Sequence, residues 1–129
     1  MHRAYYIANT VRDRASEDMP DQPLKPLHYL ILLLLAEEPT YGIRLMERLE
    51  ERSAGALTPN AGTLYRTLAA LVDDGWVEPV GLERPEGAGA PRKSYGVTET
   101  GLAVLGAEAR RQAELVRAAR ALDLLEDVP

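Results

Sequence analysis

The chain has 129 residues, with 15 Lys and Arg against 20 Asp and Glu, a net charge of −5 and no cysteine. That length suits one domain, and the missing cysteine excludes a disulfide framework, a thiolate metal site and a cysteine nucleophile. The N-terminal MHRAYYIANTVRDRA lacks an apolar h-region and a small-residue cleavage site, and the longest apolar run, Tyr29 to Ala36, falls far short of the about 20 residues of a membrane span, so a soluble cytoplasmic protein is expected.

Residues 1–23 read as an extension and linker. Tyr5, Ala8, Val11 and Ala15 recur at helical spacing, but the stripe is thin, so a frayed tail and a helix packed on a partner subunit both stay open. Pro20, Pro23 and Pro26 forbid a helix through the linker, and Pro26 suits the first turn of the next one. Helix one is expected over Pro26 to Glu37. Leu27, Leu30, Ile31, Leu34 and Leu35 share a face, and Leu32 and Leu33 make the remaining sides apolar too, so this helix belongs at the centre of the core. Glu37-Glu38-Pro39 ends it. Thr40 is the expected N-cap of helix two, Tyr41 to about Ser53, with Leu45, Met46 and Leu49 inward and Arg44, Glu47, Arg48 and Glu51 toward water.

Ala54-Gly55-Ala56 breaks that helix, and Thr58 with Pro59 signals the start of helix three. Leu64, Leu68, Leu71 and Val72 form its apolar face, while Asn60, Thr63, Arg66, Thr67 and Ala70 lie opposite and leave room for another surface. Gly75 closes it. A strand from Trp76 to about Leu82, a tip from Pro85 to Pro91 and a return strand from Arg92 to Val97 then make a hairpin, the wing. Thr98 caps a last helix expected to reach about Leu125, whose row of Leu102, Leu105, Ala109, Ala113, Val116, Ala119 and Leu122 is longer than a small body can cover. Such a row most often packs on a second copy of itself, which points to a homodimer. The fold class is thus mainly α with a small β-hairpin: a winged helix-turn-helix over residues 24–97 and a long dimerisation helix over 98–129.

Chemistry points away from catalysis. His2 and His28 have no metal or triad spacing. Glu37-Glu38, Glu50-Glu51 and Asp73-Asp74 are adjacent pairs that diverge on a helix. Gly87-Ala88-Gly89 leads into a strand and supplies no helix N-terminus for a phosphate. No nucleophile, base and stabiliser come together, and no cofactor or metal is expected. Double-stranded DNA suits the geometry better. The start of helix three presents Asn60, Thr63, Arg66 and Thr67 to base edges, where Asn pairs with adenine and Arg with guanine. Arg44, Arg48, Arg84, Arg92 and Lys93 flank that surface and suit phosphates. The acidic balance requires a local basic face and marked salt sensitivity; it also leaves open a winged-helix adaptor that binds protein instead of DNA.

The stretches LLLLAEEPTYGIRLMERLEER, GTLYRTLAALVDDGWV and RKSYGVTETG, in this order, resemble the PadR family of bacterial transcriptional regulators over about residues 24–105. The carrying motifs are Tyr41-Gly42, Gly62-Thr63-Leu64-Tyr65, Asp74-Gly75-Trp76-Val77 and Arg92-Lys93-Ser94-Tyr95 with Thr98 and Gly101. The resemblance implies a dimeric repressor on a near-palindromic operator, a C-terminal helix that makes the dimer contact, as in the compact subgroup, and Tyr41, Tyr65 and Lys93 near the DNA backbone. Arg66 departs from the pattern, since the family commonly has proline after this tyrosine, and the N-terminal extension lies outside it. Family members often respond to small aromatic or cationic compounds near the dimer interface, some through a tryptophan on the last helix. The only tryptophan here, Trp76, starts a strand and is expected in the core, so a small-molecule effector stands as an open partner.

Overall fold

The computed structural model describes residues 22–83 and 89–125. Helix α1 (Pro26–Glu37) has proline in its first turn and buries Ile31, Leu32, Leu34 and Leu35. Burial of each such side chain contributes about 1.5–3 kcal/mol, so this helix is the main source of core stability. It packs against helix α2 (Gly42–Arg52) and the proximal part of helix α4 (Glu99–Ala121). Helix α3 (Ala61–Asp73) adds Leu64, Leu68 and Leu71 to the same core.

Two expected caps are corrected. Thr40 does not cap α2. It lies with Tyr41 in a two-residue strand, β1 (Thr40–Tyr41), and its buried hydroxyl has no hydrogen-bond partner. The N-cap of α2 is Tyr41, which makes no side-chain cap. Nor does Thr58 cap α3: Asn60 does, its Oδ1 accepting the Thr63 N–H at 2.8 Å, so Pro59 stays outside the helix. Gly75 ends α3 as expected, at φ +81°, where a side chain would be strained.

Strands β2 (Val77–Glu83) and β3 (Arg92–Val97) form the wing, and β1 adds to the other edge of β3, giving the antiparallel order β1-β3-β2. A bulge between Pro79 and Gly81 shifts the register, so that Glu83 stands opposite Arg92 and Leu82 opposite Lys93. The wing tip expected over 85–91 lies outside the described residues up to position 88.

Thr98 caps α4 as predicted. Its Oγ1 accepts the Gly101 N–H at 3.0 Å and donates to the Gly75 carbonyl at 2.6 Å, which ties the start of α4 to the end of α3. The helix stops at Ala121, short of the expected Leu125. Gly101, Val104, Leu105 and Glu108 are its buried residues. Leu105 therefore belongs to the chain's own core, with Leu102 packed against it, and these two do not contribute to the surface row expected for a dimer. From Ala109 onward about 20 Å of helix projects beyond the body.

Glu108 is buried at 6% exposure and accepts the Leu24 N–H at 3.1 Å, Arg111 Nε at 3.1 Å and Gln112 Nε2 at 3.2 Å. The Arg111 hydrogen bonds, helped by those from Leu24 and Gln112, lower its pKa to about 2 against the opposing effect of burial. A depressed carboxyl pKa stabilises the fold above the unfolded value near 4.5, and that contribution is lost as pH falls from there toward 2. Glu108→Gln should accordingly have a lower Tm at pH 7 than the parent chain and a flatter Tm profile between pH 4.5 and pH 2, measured by thermal melts across that window.

Candidate nucleic-acid interface

The N-terminus of α2 is where three elements meet. Gly42 starts that helix, and a Cβ there would stand 2.6 Å from Cζ of Tyr65, so glycine is what lets the Tyr65 ring of α3 lie across it. The preceding Tyr41 pairs with Ser94 of β3, and Thr40 pairs with Tyr95. Burial pushes the Tyr95 hydroxyl above its ordinary pKa, and the nearby Tyr65 adds to the shift. Arg66, Arg44 and Lys93 are therefore one or two positions from residues in mutual contact: Arg66 follows Tyr65, Arg44 follows Gly42 by two, and Lys93 precedes Ser94. All three are exposed.

Along α3 the outer face is small and polar, and Arg66 is the single charge between Ala61 and Val72. Arg66 Nη2 reaches Thr63 Oγ1 at 3.4 Å, and a Cβ at Gly62 would come within 3.3 Å of its Nη1, so the guanidinium folds back toward the helix N-terminus. Thr67 donates its hydroxyl to the Thr63 carbonyl at 2.8 Å, which leaves the oxygen as an acceptor. Asn60 uses Oδ1 as a cap and keeps its amide N–H groups for another partner. Tyr65 is 44% exposed. Arg92 and Lys93 are exposed at the start of β3, while Glu83, the acid facing them across the wing, is held by Ser94 Oγ at 2.8 Å. Arg84 lies outside the described residues.

Arg48 was expected to face water and phosphate, and the structure gives it another use. Its side chain is 15% exposed, and it donates to the Leu34 carbonyl at 3.0 Å, the Glu38 carbonyl at 3.2 Å and Glu37 Oε1 at 3.2 Å. Arg52 adds two bonds to the Glu37 carboxylate, at 2.9 and 3.0 Å. Arg48 thus bonds two carbonyls at the end of α1, and Arg52 joins it on the Glu37 side chain. The sequence signal was present, since a carboxylate at the end of one helix faces arginines on the next, but it cannot be told from a solvated charge without the packing. β1 left no signal, because two residues carry no periodicity.

Two helices joined through a turn, the second with an exposed polar face, followed by a hairpin wing, define a winged helix-turn-helix protein. Residues 31–107 match the model of the Transcriptional regulator PadR-like family. A solved PadR-like transcription factor from Bacteroides fragilis is 31% identical, with 74% of this chain and 88% of that chain covered and a TM-score of 0.59. A PadR-like transcriptional regulator from Bacillus cereus shares the fold at TM-score 0.64 and 23% identity, with 78% and 93% covered. A conserved protein described as a potential transcriptional factor is 32% identical over 75% of this chain and 83% of that one, at TM-score 0.59. No curated protein sequence matches the chain. The chain belongs to the PadR-like family of transcriptional regulators, a family that acts by binding DNA. Among the described residues no helix is long and apolar enough to cross a membrane.

Proposed function

We propose that this regulator is a homodimeric repressor that places two copies of α3 in successive major grooves of a near-palindromic operator, about 34 Å apart, and so obstructs transcription. Arg66 reads guanine with Thr63, Asn60 and Thr67 beside it; Tyr41, Tyr65, Arg44, Arg92, Lys93 and, outside the described residues, Arg84 hold phosphates. Arg48 leaves the contact set, because its guanidinium is engaged within the chain. The observation that carries the reading is the lone cation on the exposed, otherwise neutral face of α3, next in sequence to the Tyr65 that lies across the start of α2. The projecting half of α4 supports dimerisation: Ala109, Ala113 and Val116 recur at spacings of four and three, a small-residue row along which a second copy can approach closely. Release by a small aromatic or cationic effector is part of this proposal, and a thermal-shift screen followed by operator release tests it.

Fluorescence anisotropy on the DNA upstream of the chain's own gene, against a random duplex at several salt concentrations, tests the main reading. Preference for the upstream DNA with two chains per site supports it; equal affinity for both duplexes points first to an operator elsewhere, and no binding to either duplex even at low salt speaks for the protein-binding adaptor. In the same assay Lys93→Ala should weaken specific and random binding by the same factor and reduce the slope of log K against log salt by about one.

A further inference from the structure

The stripe by which α4 packs on the body does not end where the body ends. Leu105 and Glu108 are buried, and Gln112, Leu115, Ala119 and Leu122 continue the same three-and-four spacing onto the projecting half, where Leu115 is 58% and Leu122 70% exposed. The small-residue row of Ala109, Ala113 and Val116 lies about a quarter turn away, so one helix carries two separate strips. We propose that residues 1–21 of the same chain cover the first strip, leaving the small-residue row to the second copy.

The chain's own connectivity favours this occupant. Leu24 is buried, and its N–H bonds to Glu108, the last buried residue of α4, so the segment before it enters at the level where α4 leaves the body and on the strip in question. The segment carries Tyr5, Ala8, Val11 and Ala15 at helical spacing, and residues 3–15 would span about 20 Å as a helix, the length of the overhang.

The absence of cysteine makes the test clean. A Val11→Cys/Ala119→Cys chain treated with a short bismaleimide should cross-link within one chain, at monomer mass on a denaturing gel. Deletion of residues 2–18 should speed amide exchange over residues 112–121 about tenfold or more. The proposal is overturned by exchange that deletion leaves unchanged, or by dimer-mass product from Ala119→Cys alone, which would give the strip to the second copy. Dimer-mass product that requires both cysteines would also overturn it, by placing the segment on the partner. If the deleted chain fails to fold, the cross-link decides. Operator binding measured on the same samples separates this proposal from the repressor reading, since a chain that ignores DNA yet keeps the intrachain cross-link retains the docking.

Discussion

Gly101→Ala will cost about 3 kcal/mol of stability and lower the Tm by about 10 °C, read by thermal melts at neutral pH. The reason is local and steric. A Cβ at Gly101 would overlap the Trp76 carbonyl and stand 2.7 Å from Val97 Cγ2, so the first turn of α4 lies directly against the junction between α3 and the wing. Flexible side chains yield to an added methyl; a backbone carbonyl next to a buried indole does not. Thr98 joins the same place from the other side through its bond to the Gly75 carbonyl, so a displaced α4 would also break that bond. Gly106, on the same helix, is the control. A Cβ there meets nothing nearer than Arg110 Nη1 at 3.6 Å, and Gly106→Ala should stabilise the helix by about 0.5–1 kcal/mol. Equal effects at the two positions would mean that helix propensity, not close approach, sets the requirement for glycine at 101.

Arg66→Ala will lower affinity for the operator by about 1–3 kcal/mol, which is 5- to 150-fold, and will relax discrimination at one base pair per half-site. In the proposed complex a fork of donors matched to the O6 and N7 of guanine would give this contact its selectivity, so charge alone would not replace it. Arg66→Lys is therefore the decisive companion: binding to random DNA is retained and the preference for the operator falls. Anisotropy titrations over single-base operator variants measure both. If Arg66→Ala weakened all duplexes alike, Arg66 would be a phosphate contact, and base reading would pass to Asn60 and Thr63.

The order of elements was legible in the sequence because each helix has its own stop: Pro39 after α1, Gly55 after α2 and Gly75 after α3. The long α4 and its Thr98 cap were readable for the same local reasons. What escaped was set by contacts between elements. Asn60 and Thr58 are both competent caps, and only the path of the chain around Pro59 selects Asn60. Glu108 occupies an apolar-face position of α4, a hint that it is buried, but its partner Leu24 is 84 positions away. Arg48 and Arg44 look alike on a helical projection, yet only Arg48 lies over the carbonyl end of α1. Leu102 and Leu105 fit a dimer row by spacing, and the packing of α1 on α4 gives them to the core.

The contact between Gly42 and Tyr65 couples two positions in descent. While a tyrosine stands at 65, a side chain at the first residue of α2 would push its half-exposed ring aside. A lineage that shortens residue 65 removes that conflict, so the two positions change more readily together than position 42 does alone. A change at the start of α2, which makes no base contact in the proposed complex, would thereby alter the seat of the recognition helix and with it the range of operators open to the descendants.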